Sequence, residues 1–245
     1  MIMLLMLSSC VSKKKMVYFG EMEGVSMNEA LQNYEPTIQK GDLLNINVSA
    51  IDAEAAIPFN LYETPILKGS ISSAATPLPY LVNADGAVNF PVLGLLEVAG
   101  LTTKELTSTL TTTLNDYIKN PIVNIRITNF KVTVLGEVKM PGTYPVANER
   151  ISILEAIGLA GDLTIQGNRV ALTIIREQNG KRVFIPVDLT NKKLFNSPYF
   201  YLAQNDVIYI EPNKAKINSS VVGANTSIIF ASISSLISII AILTR

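Results

Sequence analysis

The stretch from Val132 to Val146, VTVLGEVKMPGTYPV, predicts two β-strands joined by a turn at Pro141-Gly142. Valine alternates with other residues at its start, which is the period-two pattern of a half-buried strand. Proline followed by glycine is typical of a turn, because proline fixes its own φ and glycine tolerates positive φ. The stretch therefore predicts the first pair of strands of a sheet, with Pro141 and Gly142 shaping their connection.

A short helix and a second hairpin are predicted after this stretch. Ser152 and Glu155 match a capping box, so a helix is expected over 153–159. Asn179-Gly180 predicts a hairpin turn between two strands rich in β-branched residues. Strands with one short helix laid across them are typical of a β-grasp arrangement, which we assign to residues 129–214.

A smaller unit of strands and helix is predicted over residues 34–128. Gly41-Asp42 stands directly before an alternating strand, and the same pattern recurs at Asn205-Asp206. We expect each Asp side chain to accept backbone N–H groups where the strand begins. Asp85-Gly86 predicts a tight turn between strands, because this pair readily adopts positive φ. The fold class expected for the whole chain is therefore α+β.

Composition restricts the classes of function. The 245 residues contain 20 Lys+Arg and 20 Asp+Glu, so the formal charge is zero and nothing favours nucleic acid as a partner. Histidine is absent and cysteine occurs once, which removes Ser-His-Asp sites, Cys-His sites and most zinc sites. We expect no catalytic residues, no metal and no other cofactor, and a conduit, binding or scaffold role rather than an enzyme.

The amino-terminal run MIMLLMLSSC ends at the only cysteine, Cys10. Its last four residues resemble the lipobox of bacterial lipoproteins, which implies cleavage before Cys10 and lipid modification of that residue, palmitate included. Residues 1–10 are then a signal segment and residues 11–33 a tether. The alternative is a frayed apolar terminus with a buried free cysteine.

The carboxy-terminal run from Ser227 to Leu243, SIIFASISSLISIIAIL, carries no charge. As a helix its 17 residues would extend ~25 Å, so we predict an amphipathic membrane-spanning helix within 219–245. Ser227, Ser234 and Ser238 lie on one stripe of small residues and are candidates for helix contacts or for a water-filled lumen. A lone lipid-facing helix with incidental serines is the alternative, although a lipid-anchored protein gains little from a second simple anchor.

Taken in order, these motifs resemble the outer-membrane polysaccharide export lipoproteins of Gram-negative bacteria. Gly41-Asp42 and Asp85-Gly86 are similar to the export domain of that family, and Gly136-Glu137-Val138 with Pro141-Gly142 is similar to its SLBB β-grasp domain. Asp162 stands where the family often has glycine. One β-grasp unit is predicted here, whereas some members have two.

The resemblance implies an outer-membrane protein whose main domains face the periplasm. In the family, copies form a homo-oligomeric ring, the terminal helices build a barrel, and capsular or extracellular polysaccharide crosses without bond making. An inner-membrane polysaccharide copolymerase is the implied partner.

Two other hypotheses stay open at this stage. One is a monomeric periplasmic lipoprotein that binds a soluble glycan through its β-grasp domain. The other is an enzyme that uses carboxylates such as Asp85 or Asp162 on a polysaccharide. Both carboxylates stand in turn sequences, which favours structural roles for them.

Overall fold

The computed structural model describes residues 17–20, 34–63, 76–178, 180–221 and 225–243. Cys10, the predicted signal segment and most of the predicted tether lie outside these residues, as does Asn179 of the second predicted hairpin turn.

The first unit is a three-stranded antiparallel sheet with one helix packed on it. The central strand β1 is flanked by β4 and β7, and two separate hairpins are formed by β2–β3 and β5–β6. A capping box at Thr102 and Glu105 starts α2, whose leucines face a core shared with β1 and β7. The elements are β1 (Leu43–Ser49), α1 (Ala53–Ala56), a 3-10 helix (Ile57–Phe59), β2 (Tyr62–Glu63), β3 (Thr76–Pro77), β4 (Tyr80–Leu81), β5 (Ala87–Phe90), β6 (Gly94–Glu97), α2 (Thr103–Leu114) and β7 (Ile122–Ile127).

The second unit is a five-stranded sheet in the order β11-β10-β12-β8-β9 with the short helix α3 against it. All neighbours are antiparallel except β12 and β8, which run parallel. The predicted capping box at Ser152 and Glu155 is confirmed at the start of α3. The mixed helix-and-sheet class is therefore confirmed. The elements are β8 (Lys131–Gly136), β9 (Gly142–Pro145), α3 (Ile153–Leu159), β10 (Gly167–Gln178), β11 (Lys181–Val187), a 3-10 helix (Lys192–Asn196) and β12 (Val207–Pro212).

Two helices follow the second sheet, α4 (Lys214–Val221) and α5 (Asn225–Leu243). The prediction that the terminal helix spans a membrane is not supported, because no helix among the described residues is both long and apolar enough to cross one.

The two Asp turns are built in the same way, as predicted. Gly41 and Asn205 have φ values of +86° and +64°, and Asp42 and Asp206 follow them with fully buried side chains. Each carboxylate accepts the N–H of the residue three positions earlier at 2.8 Å. Burial raises the pKa of Asp42. These bonds fix the start of β1 and of β12, which is a structural role for both carboxylates.

The predicted Asp85-Gly86 turn links β4 to β5 through a bond from the N–H of Asn83 to the carbonyl of Ala87 at 2.9 Å. Gly86 has φ +89°, and a Cβ there would lie 2.7 Å from the Cβ of Ala99. Glycine is therefore required at this position both by conformation and by space. Asp85 is exposed beside it.

The two strands predicted around Pro141-Gly142 pair antiparallel, and their connection is longer than a turn at these two residues alone. Strand β8 ends at Gly136 and β9 begins at Gly142, so the five residues between them form a loop. The N–H groups of Lys139 and Met140 donate to carbonyls just after α3, at 3.1 and 2.9 Å. The loop therefore caps the end of α3. These bonds join residues about twenty positions apart, so the residue types of the turn alone do not predict them.

Buried Tyr80 predicts a loss of stability at alkaline pH. Its ring stacks on Phe90 at 5.5 Å, and burial raises its pKa to about 12. In the unfolded chain the Tyr80 hydroxyl ionises near pH 10. The stability gained by burying this hydroxyl in its protonated form is therefore complete below pH 10 and is lost as pH rises through 12. The loss in free energy of unfolding approaches ~3 kcal/mol above pH 12.

Urea unfolding at pH 9 and pH 11.5 should show a smaller alkaline loss for Tyr80→Phe than for the parent. The exposed Tyr117→Phe is the matched control and should follow the parent. Equal alkaline losses in all three proteins would contradict the prediction.

Candidate functional site

A cleft of about 1030 Å³ lies between the two units and is lined by both. One wall is formed by β7 and the first residues of α2. The other is formed by residues 147–150, the start of α3 and the pair Phe200-Tyr201. Concave sites with aromatic and polar walls at a boundary between domains are common ligand sites. The cleft is therefore the candidate functional site of the described residues.

Two tyrosines from opposite ends of the chain form the aromatic wall of the cleft. Tyr34 stacks on Tyr201 with ring centroids 5.3 Å apart and an interplanar angle of 20°. The Tyr34 hydroxyl donates to the carbonyl of Leu202 at 3.1 Å, and the Arg150 guanidinium lies 5.4 Å from the Tyr201 ring centre. Burial raises the pKa of Tyr34.

The aromatic wall continues across the second unit to the amino-terminal segment. Phe200 meets Tyr201 at 5.0 Å, Phe195 meets Phe200 at 5.4 Å, and Phe19 meets Phe195 at 4.9 Å. We call these rings, together with Tyr34, the aromatic ladder. Tilted and edge-on pairs at such distances are favourable beyond the area that they bury. The ladder therefore attaches both residue 19 and residue 34 to the second unit.

Tyr18 fastens the same segment through polar contacts. Its hydroxyl donates to the carboxylate of Asp162, and the Arg169 guanidinium lies 5.4 Å from its ring centre. Burial, followed by the bond to Asp162, raises the pKa of Tyr18. Asp162 also accepts the N–H of Leu163 at 2.6 Å and has φ +73°, a conformation that glycine adopts readily. The described contacts of this carboxylate are structural.

Two side-chain amides tie the units together. The amide of Asn129 accepts the N–H of Leu43 at 2.9 Å and donates to the carbonyl of Gly41 at 3.0 Å. The amide of Gln204 accepts the N–H of Lys131 at 2.8 Å and donates to the carbonyl of Asn129 at 2.8 Å. The connecting residues are thus held between the two Asp turns, which fixes the walls of the cleft relative to each other.

Gln204→Ala should destabilise the protein by about 1–3 kcal/mol, because it leaves the backbone groups of Asn129 and Lys131 without these partners. Urea unfolding would measure the loss, and amide hydrogen exchange at Lys131 should become faster. The exposed Gln178→Ala is the control and should change neither. Unchanged exchange at Lys131 would show that the amide does not hold the junction.

Three charged residues of the cleft each interact with a neighbouring side chain. Glu155 uses its carboxylate to accept the N–H and the hydroxyl of Ser152 at 2.7 and 2.8 Å. Lys104 lies 3.9 Å from Glu35, both exposed, so this pair contributes little stability. Within the described residues no group of acidic or cysteine side chains is arranged to hold a metal ion. Stacking and hydrogen bonding are the chemistry that the cleft offers.

The residues that the sequence analysis selected lie elsewhere. The hydroxyls of Ser234 and Ser238 donate to carbonyls of their own helix, α5, at 2.9 Å each, and Ser227 belongs to the same helix. Asp85 belongs to a turn of the first unit, and Cys10 lies outside the described residues. The sequence analysis therefore missed the cleft, although adjacent aromatics at Tyr18-Phe19 and Phe200-Tyr201 are visible in the sequence as a signal.

Comparison with known protein families assigns both units. Residues 30–128 match the family described as polysaccharide biosynthesis/export protein, and residues 130–210 match the SLBB domain. The chain thus combines an export domain with an SLBB domain. It belongs to the polysaccharide export protein family. The predicted unit boundaries, 34–128 and 129–214, stay predictions beside these ranges.

Two curated relatives are similar to most of the chain. The EPS I polysaccharide export outer membrane protein EpsA of Ralstonia solanacearum is 26% identical over 199 residues, which cover 78% of this chain and 52% of the relative. The protein of the same name from Ralstonia nicotianae is 26% identical over 182 residues, covering 71% and 46%. The chain therefore spans about half the length of the curated relatives that it matches.

Proposed function

We propose that this chain is a lipid-anchored, ring-forming subunit of an outer-membrane conduit that exports a capsular or extracellular polysaccharide. The polymer passes without bond making, and the periplasmic domains meet an inner-membrane polysaccharide copolymerase. The observation that carries the proposal is the succession of an export domain and an SLBB domain, with hydrogen bonds of Asn129 and Gln204 at their junction. Two curated relatives that match most of this chain are named as outer membrane polysaccharide export proteins.

The exposed apolar residues of α5 support assembly of several copies. Leu236, Ile237 and Ile242 have exposed fractions of 59%, 62% and 76%. Contiguous apolar surface of this kind is unusual on a monomer in water and is typical of interaction sites. The hydroxyls of Ser234 and Ser238 already donate to carbonyls of their own helix. A neighbouring helix can therefore pack closely against them without breaking a hydrogen bond. We propose that the α5 helices of neighbouring copies bury these apolar residues against one another.

The proposed anchor is Cys10. The residues that follow it in the chain reach the second unit at Tyr18 and Phe19, which are both bound there. Tyr18 binds Asp162, and the backbone N–H of Phe19 donates to the carbonyl of Leu189 at 3.3 Å. Tyr18 lies eight positions after Cys10, so the chain between them can extend at most ~29 Å. A lipid on Cys10 would therefore hold the second unit close to the membrane surface.

Native mass spectrometry of the full chain in detergent tests the ring. The proposal expects a closed oligomer for the parent and monomers for a chain truncated after Asn218, which lacks α5. Labelling with radioactive palmitate should mark the parent and leave Cys10→Ala unlabelled. A parent that stays monomeric under all mild conditions would contradict ring formation.

A second candidate function is favoured by the cleft itself. A monomeric lipoprotein could bind a soluble glycan on the aromatic wall formed by Tyr34 and Tyr201. Truncation after Asn218 separates the two functions, because a glycan-binding lipoprotein keeps its ligand and a conduit loses export.

A further inference from the structure

The open face of the first sheet carries a row of amide side chains. Asn45 and Asn47 on β1, and Asn124 and Arg126 on β7, are all exposed on the face opposite the core. The strand register places Asn47 opposite Asn124 and Asn45 opposite Arg126. We call these four residues the asparagine face. Asn124 and Arg126 also line the cleft between the units.

The asparagine face has no structural task among the described residues. None of its four side chains forms a hydrogen bond or an ion pair with another described residue, whereas the amide of Asn60 binds Val48 and Ala56. Asparagine is also among the residues depleted in strands, where β-branched residues are preferred. Three asparagines on two adjacent strands therefore lower the strand propensity of the sheet without a compensating bond.

We propose that the asparagine face and the adjoining cleft bind a segment of the exported polysaccharide. The inference rests on the proposed function and names the surface that touches the substrate. An asparagine amide offers donors and an acceptor side by side, which matches neighbouring sugar hydroxyls that each donate and accept. Arg126 adds further donors in a planar fork. Such contacts are reversible, as a conduit requires.

The geometry suits an extended polymer rather than a single small sugar. Residues directly opposite each other on antiparallel strands have Cβ atoms about 4.5–5.5 Å apart, so Asn47 and Asn124 can hold hydroxyls of one sugar residue between them. Arg126 stands two positions along β7, at ~6.8 Å, in position for the next sugar. The partly exposed rings of Tyr34 and Tyr201 then offer apolar surface to the C–H groups of the polymer where it enters the cleft.

The double variant Asn47→Thr/Asn124→Thr tests the inference. The probe is a mixture of oligosaccharides released by partial hydrolysis of the extracellular polysaccharide of the cells that make this protein. Titration calorimetry with the full chain should show at least a fivefold loss of affinity. The melting temperature should hold or rise, because threonine suits a strand better than asparagine. Asn89→Thr, an exposed asparagine on β5, is the matched control and should bind as the parent does.

Three results would overturn the inference. They are parent-like affinity in the double variant, no binding of the probe by the parent, and loss of oligomer in the double variant with its glycan affinity kept. The last result would make the asparagine face a contact between copies. Failure of the proposed function looks different, because deletion of the gene would then leave the extracellular polysaccharide unchanged.

Discussion

Gly136→Ala is expected to lower the free energy of unfolding by about 4 kcal/mol or more. Gly136 ends β8 with φ +94°, and an added Cβ would lie 2.0 Å from the carbonyl oxygen of Ile210. That oxygen belongs to the backbone of β12, the strand paired in parallel with β8, and it accepts the N–H of Glu137 at 3.0 Å. The clash can be relieved only by separating β8 from β12, the central strand of the second sheet.

Gly94→Ala is the matched control for this prediction. Gly94 has φ +78°, but nothing lies within 4 Å of an added Cβ. Its substitution should therefore cost only the conformational strain of about 1–2 kcal/mol. Urea unfolding followed by circular dichroism measures both variants. Equal losses for Gly136→Ala and Gly94→Ala would show that the contact between β8 and β12 is not the cause.

Asp206→Ala is expected to cost about 3–5 kcal/mol, because it leaves the buried guanidinium of Arg176 without its counter-charge. Nε and Nη2 of Arg176 lie 2.9 and 2.6 Å from the two carboxylate oxygens, and the side chains are 9% and 0% exposed. The same carboxylate holds the N–H of Ala203 at the start of β12. One substitution thus removes an ion pair and an Asp turn together.

The exposed Asp85→Ala is the control for Asp206→Ala, and it should change the free energy of unfolding by less than about 1 kcal/mol. Arg176→Met/Asp206→Leu should recover part of the loss, because apolar residues of similar volume can replace a buried pair. A loss below about 1 kcal/mol for Asp206→Ala would show that Arg176 finds water or another partner.

Features set by neighbouring residues were predictable from the sequence. The Asp turns, the capping box at Ser152 and the Asp85-Gly86 turn each depend on contacts within about four residues, and their residue types encode those contacts. The resemblance to the export family could be seen for the same reason, because the motifs that carry it are local turn sequences of this kind.

The candidate site was not predictable, because its contacts join distant parts of the chain. Tyr34 meets Tyr201 and Phe19 meets Phe195 across more than 160 residues, and no local pattern specifies such pairs. The course of the connection before Gly142 was not predictable for a similar reason, since this loop follows the end of α3. The serine stripe of α5 was visible in the sequence, but the predicted membrane span is not supported among the described residues.

The measurement that tests the export role most directly is the distribution of polysaccharide in cells that lack this gene. The account predicts that extracellular polysaccharide is lost, that polymer accumulates in the periplasm, and that the full chain restores export whereas a chain truncated after Asn218 does not. Unchanged extracellular polysaccharide in the deletion strain would contradict the account.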